Sequence, residues 1–209
     1  MSSVTAHALR WCGVDGQART DLLEEAFQAM IEAVHEAGTS LRPVIVEAAG
    51  VIAGCFAAGG KLLACGNGGS AATVQHFAGE MVGRFRDTGR PGLRALALSA
   101  DSAVLTGWSS DTGYEDVFAR QVATFGQAGD VLLCVSTSGR SPNLIRACQA
   151  AGRAGLRTVA LLGPARGGLA QAADIVIAAP TQDAQRTQEF HLFILHVISE
   201  IVEKSMPGG

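Results

Sequence analysis

The stretch Leu62-Leu63-Ala64-Cys65-Gly66-Asn67-Gly68-Gly69-Ser70, continuing through Gln75-His76-Phe77-Ala78-Gly79-Glu80, constrains the fold more than any other. Leu62 to Cys65 is a short apolar run with the character of a buried strand. Three glycines follow, which let the backbone turn sharply and approach a ligand without Cβ interference. Ser70 suits an N-cap, and a helix starting there would aim free N–H groups and the positive end of its dipole into the turn, the arrangement that holds an anion such as phosphate. His76 and Glu80, four residues apart, share one face of that helix and could bind a metal or move protons.

Two other readings compete. Glycine turns between strand and helix are common in α/β proteins, and a lone histidine at helical spacing is more often a packed or surface residue. Gly66-Asn67-Gly68-Gly69-Ser70-Ala71 also satisfies G-x-G-x-x-G/A, the dinucleotide fingerprint. Its usual companion is an acidic residue about twenty positions on. Here the next strand-like run ends near Ser99, and Asp101 comes too late.

Composition bounds the remaining choices. A chain of 209 residues that is 48% hydrophobic and 17% charged can bury one substantial core. The expected organisation is an arm over residues 1–18 and a single domain over 19–209. A net charge of −3 with scattered Lys and Arg gives no basic field for a phosphate backbone, which argues against nucleic-acid binding. Cys12, Cys55, Cys65, Cys134 and Cys148 are odd in number, widely spaced and without a C-x-x-C pair. They read as reduced core residues of a cytoplasmic protein. No run of eighteen apolar residues occurs, so membrane insertion and export are not expected.

Helical periodicity predicts an amphipathic helix from Asp21 to about Ala37 and a second from Arg42 to Ala58, apolar around much of its circumference. So little polar surface before the first strand points to an oligomer interface as well as a core contact. Strands are expected at Lys61–Cys65, Arg94–Leu98, Val131–Ser136, Thr158–Leu162 and Ile175–Ala179. Helices are expected at Ser70–Arg84, Ala103–Trp108, Glu115–Phe125, Ser141–Ala154, Leu169–Ala172 and Gln185–Lys204. Alternation of apolar strands with helices means α/β architecture with a parallel sheet covered on both faces. The polar loop Arg84–Leu93 lies beside the His76/Glu80 helix.

A second anion seat follows the third strand, in Ser136-Thr137-Ser138-Gly139-Arg140-Ser141-Pro142. Ser141 as N-cap with Pro142 in the first turn starts another helix whose amides face a hydroxyl-rich turn. One such turn is by default a plain helix cap; two in one sheet favour a phosphate cradle. The last helix carries Gln188, Glu189, His191 and His196 among large apolar residues, and polar groups in so buried a helix must find partners or do chemistry.

Taken together, Cys65-Gly66-Asn67-Gly68-Gly69-Ser70, His76-Phe77-Ala78 with Glu80, Gly129-Asp130-Val131-Leu132-Leu133, Ser136-Thr137-Ser138-Gly139 with Ser141, and Gln188-Glu189 with His191 and His196 resemble the phosphoheptose isomerases of the sugar isomerase (SIS) fold over nearly the whole chain. The resemblance implies a five-stranded parallel sheet between helices, a flavodoxin-like three-layer sandwich preceded by two helices. It further implies a homotetramer with sites at subunit interfaces and conversion of sedoheptulose 7-phosphate to an aldoheptose 7-phosphate through a cis-enediol. Phosphate binding falls to Ser70, Ser136, Thr137, Ser138 and Ser141, and the substrate contacts are completed by Asn67, Gly68, Gly69, Arg84, Asp101 and Gln188. Glu80 and His196 become the acid/base pair. His76, Glu80, Gln188 and His196 match the zinc ligands of some members, giving one Zn2+ per subunit. Gln185 stands where some members carry Asp. A non-catalytic relative that associates with a bacterial replication initiator shares Ser70-Ala71-Ala72 and Gln75-His76-Phe77, but Glu80 and His196 favour the enzyme.

Overall fold

The structure, a computed structural model, describes residues 16–206. Of the expected arm, residues 1–15 lie outside the described residues, and Gly16 already belongs to the first helix. The helices are α1 (Gly16–Ser40), α2 (Arg42–Ala57), α3 (Gly69–Val82), α4 (Ser102–Thr112), α5 (Val117–Phe125), α6 (Pro142–Arg153), α7 (Leu169–Ala172) and α8 (Ala184–Ser205). The strands are β1 (Leu62–Gly66), β2 (Ala95–Ala97), β3 (Val131–Ser136), β4 (Arg157–Leu162) and β5 (Ile175–Ala178).

All five strands pair in parallel, in the order β2-β1-β3-β4-β5. Their limits fall within one residue of those expected, because short apolar runs bounded by glycine and charge leave little latitude. The helices depart further. α1 starts before Asp21, and α4 runs past Trp108 to Thr112. The segment expected as one helix from Glu115 is a 3-10 turn, Tyr114–Asp116, followed by α5. Ser70 is not the N-cap of α3. That position is Gly68, at φ +56°, a backbone conformation that a residue with a Cβ adopts only at a cost.

Alternate strand residues face opposite layers. Leu62, Ala64, Leu133, Val135 and Leu161 pack with α1, α2, α3 and α8, while Leu63, Cys65, Leu132, Cys134 and Leu162 pack with α5 and α6. This is the three-layer sandwich expected of a sheet buried on both faces. α2 buries Ile45, Ala48, Ala49, Ile52 and Phe56. α1 buries only Ala33 and Ala37 and leaves Leu22, Leu23, Phe27 and Ile31 more than half exposed. Among the described residues no single helix is long and apolar enough to cross a membrane, and α1 and α2 meet at a 76° bend.

At the amino end of the sheet, the buried carboxylate of Asp130 joins β1 to β3. It accepts from Lys61 Nζ at 2.6 Å, from the Lys61 backbone N–H at 2.9 Å and from the Gln127 N–H at 2.8 Å. Burial alone would raise its pKa; these hydrogen bonds outweigh that and hold it below the usual carboxylate range. A lowered folded pKa gives stability that is complete above the unfolded value, near 4, and is lost as pH falls through the folded value. Asp130→Ala strands the Lys61 ammonium and two N–H groups and should cost about 3 kcal/mol at pH 7 in urea unfolding, with the difference from the parent shrinking below about pH 4.

Candidate active site at the sheet switch point

From β1 the chain crosses to β2 on one side, while β3 lies on the other. The carboxyl ends of β1 and β3 are therefore where an open α/β sheet makes its ligand crevice. Register places Gly66 beside Val135, so the turn after β1 and the turn after β3 open side by side. Both expected anion seats are thus brought to one crevice.

The two turns are tied together by side chains. Asn67 and Asn143 exchange amide hydrogen bonds, each 3.0 Å, and Tyr114 Oη donates to Asn67 Oδ1 at 2.8 Å. The side chain of Asn67, expected on the substrate, is engaged in positioning the turns. Sequence reasoning missed Asn143 and Tyr114, which lie 76 and 47 residues from their partner. In the β3 turn, Ser136 Oγ accepts from the Gly139 N–H at 3.0 Å, and Ser138 Oγ accepts from the Arg140 N–H at 3.3 Å. Gly139, at φ +64°, lies so close to the loop after β4 that a Cβ there would sit 2.0 Å from the Arg166 carbonyl oxygen. Ser141 is the N-cap of α6 with Pro142 in its first turn, as expected, although its hydroxyl makes no cap hydrogen bond. Among the described residues the hydroxyls of Ser70, Thr137 and Ser141 have no protein partner, and Thr137, Ser138 and Ser141 are open to solvent to differing degrees. They are free to meet phosphate oxygens together with the amides of α3 and α6.

Two turns along α3, three side chains converge. His76 Nε2 lies 3.0 Å from His196 Nε2 of α8, and Glu80 Oε1 lies 3.2 Å from the former and 3.3 Å from the latter. Glu80 Oε2 accepts from the fully buried Ser199 Oγ at 3.0 Å. Protons cannot occupy every edge of such a triangle, whereas a cation near its centre satisfies all three lone pairs. Ligands about 2.05 Å from a tetrahedral zinc stand about 3.3 Å apart, close to the three observed separations. The donor set of two imidazole nitrogens and one carboxylate oxygen also suits that ion.

The other expected residues are more dispersed. The amide oxygen of Gln188 lies over Gly69, where a Cβ would meet it at 2.2 Å, so Gln188 borders the glycine turn and the start of α3. Asp101 caps α4 by accepting from the Ala103 and Val104 N–H groups. Arg84 is exposed just beyond α3. Gln185 is exposed in the first turn of α8. His191 is a core histidine: its Nε2 meets the Leu162 carbonyl at 3.1 Å, and burial lowers its pKa to about 4.

Comparison with known proteins gives a consistent picture. Residues 25–163 match the model of the SIS domain family. A phosphoheptose isomerase of Thiobacillus denitrificans is 45% identical over 185 residues, covering 87% of this chain and 93% of that protein. The solved phosphoheptose isomerase of Francisella tularensis superposes with a TM-score of 0.86 at 34% identity, covering 89% of this chain and 98% of that one. The Neisseria gonorrhoeae phosphoheptose isomerase gives 0.83 at 37% identity, covering 88% and 98%.

The two turns make a direct prediction. Inorganic phosphate should raise the thermal midpoint of the chain, and Thr137→Val combined with Ser141→Ala should weaken that binding by about tenfold, two neutral hydrogen bonds at about 1 kcal/mol each being lost less any water-mediated replacement. An unchanged phosphate titration would place the anion elsewhere.

Proposed function

The chain belongs to the phosphoheptose isomerases of the SIS domain family, and we propose that it converts sedoheptulose 7-phosphate to an aldoheptose 7-phosphate of the D-glycero-D-manno type through a cis-enediol. The observation that carries this reading is the placement of Glu80 and His196, from different helices, beside a crevice that carries two helix-start anion seats.

In this reading the phosphate anchors among Ser70, Thr137, Ser138, Ser141 and the α3 and α6 amides, and Ser136 holds the β3 turn in shape. The far end of an extended heptose then reaches toward the trio. Glu80 takes the proton from C1 of the ketose as the C1–C2 double bond forms, and the C2 carbonyl oxygen takes a proton from the His196 side. The enediol is closed in the other sense: the O1 hydroxyl gives its proton back to the His196 side, the C1 carbonyl forms, and C2 receives the proton that Glu80 holds. Atoms balance without a co-reactant. Each role needs the group on its own helix and the anchored phosphate to fix which carbon faces the carboxylate. Gln188, over Gly69, borders the path, and Arg84, just beyond α3, would supply a further substrate contact. Asp101, whose Oδ1 caps α4, would meet substrate only through its second oxygen.

His76, Glu80 and His196 would hold a zinc ion, with Gln188 contributing little because an amide oxygen is a poor ligand for it. Bound there, zinc would supply a Lewis acid that polarises the substrate's carbonyl and hydroxyl oxygens.

We further propose one domain over residues 19–209 and a homotetramer. Both core layers share a single sheet, and the exposed Leu22, Leu23, Phe27, Ile31, Val46 and Phe193 form an apolar surface that a partner chain would cover. The buried free thiols of Cys55, Cys65, Cys134 and Cys148 fit a cytoplasmic setting.

Glu80→Gln preserves shape and removes the base. In a coupled assay with sedoheptulose 7-phosphate it should lower kcat by about 10³-fold with an unchanged circular dichroism spectrum. A parent inactive on every ketose phosphate tried would overturn the assignment in favour of a binding role. Metal analysis of protein purified without chelator should return about one zinc per chain. His76→Ala should lose the metal while light scattering still reports a tetramer; a metal-free parent whose activity is indifferent to EDTA would leave His76 as a hydrogen-bonding residue only.

A further inference from the structure

α8 presents His196, Ser199 and Glu203 at intervals of three and four residues, so all three lie along the face turned to α3. The first meets His76 and Glu80, and the second holds Glu80 Oε2. Glu203 is buried and meets no site residue directly. It gathers the chain that leaves α3: it accepts from the backbone N–H groups of Phe85 at 3.3 Å, Arg86 at 2.9 Å and Asp87 at 2.9 Å, and pairs with Arg90 Nε at 2.8 Å. The side chains of Glu203 and Arg90 are only 6% and 4% exposed.

Arg90 completes the connection. Its other two nitrogens donate to the last turn of α3, Nη2 to the carbonyl of Glu80 itself at 2.6 Å and Nη1 to the carbonyl of Met81 at 2.9 Å. Helix-end carbonyls have no partner within their own helix, and a guanidinium fork meets both their hydrogen-bonding need and the negative end of the dipole. The backbone of Glu80 is therefore tied through Arg90 to Glu203, two turns beyond His196 on α8. The same carboxylate folds Phe85 back so that its ring lies 5.8 Å from the His196 imidazole. Burial alone would raise the Glu203 pKa, but Arg90 and the three amides bring it to about 2, so the pair stays charged across the working pH range.

We infer that Glu203 and Arg90 are positioning residues for the isomerisation: the buried pair sets where the end of α3 stands against α8, and so where the Glu80 carboxylate meets His196, while it holds the Phe85–Asp87 turn over the imidazole. The inference rests on the isomerase reading. A pair that served stability alone would leave the turnover of folded enzyme unchanged.

The test compares parent, Glu203→Gln and Arg90→Lys. Glu203→Gln keeps the shape but loses the charge; Arg90→Lys keeps the charge but cannot span both carbonyls and Glu203. In each variant that folds, kcat should fall by about 100-fold for the first and about tenfold for the second, with KM within about threefold, as expected when reacting groups are misplaced by a fraction of an ångström. Amide exchange at Phe85–Asp87 should quicken, and the His76 and His196 imidazole 15N resonances should move while that of His191 stays. Unchanged kcat and unmoved site resonances in folded Arg90→Lys would overturn the inference even if Glu203→Gln does not fold. If the parent proves inactive on ketose phosphates, the isomerase reading fails separately. The imidazole resonances then decide alone, movement supporting a positioning role for the pair and stillness removing it.

Discussion

A parallel sheet whose chain order reverses at β1 and β3 obliges two helices to start at one edge, and the rest of the molecule is arranged around that edge. Parallel strands need crossovers, crossovers cover both faces, and each helix begins where its strand ends. Two N-termini beside each other concentrate unpaired N–H groups and two positive dipole ends in a crevice with little formal charge of its own. An anion bound there is held by directed donors, which fixes orientation as well as affinity. The reciprocal amide pair of Asn67 and Asn143 keeps the two starts in register, and Tyr114 secures it from outside.

Much of this was legible in the sequence. Strand limits followed from apolar runs closed by glycine or a charged residue, and the turns after β1 and β3 showed themselves through glycine and hydroxyl content. The pairing of His76 with Glu80 needed only helical spacing. Their meeting with His196 across 120 residues came from the family resemblance and not from spacing. What was hidden shares one property: the partner is backbone or is remote. Glu203 reads as an ordinary charge near the end of an amphipathic helix, since its ligands are the amides of a loop more than a hundred residues away. Ser70 misled because hydroxyl residues are favoured N-caps, yet the chain enters α3 two residues earlier through Gly68 at φ +56°, a backbone conformation that glycine adopts freely. Asp101 could be noticed by sequence, but its oxygen serves the start of α4.

The histidines show how environment separates like residues. His191 and His196 lie five residues apart on α8, and that offset turns one into the core and the other toward α3. His191 is held neutral by burial, its ring against the end of β4. His196 keeps part of its ring open to solvent and faces a carboxylate. Only the second borders the space shared with His76 and Glu80.

The proposed function gives Glu80 two roles that oppose each other. As a metal ligand it would present Oε1 to the space shared with His76 and His196; as a base it would need a free lone pair facing a substrate carbon. Its second oxygen accepts from the buried Ser199 hydroxyl. Arg90 and Glu203 bind the end of α3 to α8 in a buried ion pair. In the proposed reaction a carboxylate lone pair would be freed by side-chain rotation: Glu80 turning about its own χ angles, or the partly exposed imidazole of His196 swinging away from it. The Ser199 hydrogen bond makes the two oxygens of Glu80 unequal: Oε2 is held by that hydroxyl, and Oε1 faces the two imidazoles. In the proposed reaction Oε1, the oxygen turned toward His76 and His196, would be the atom that receives the proton from C1.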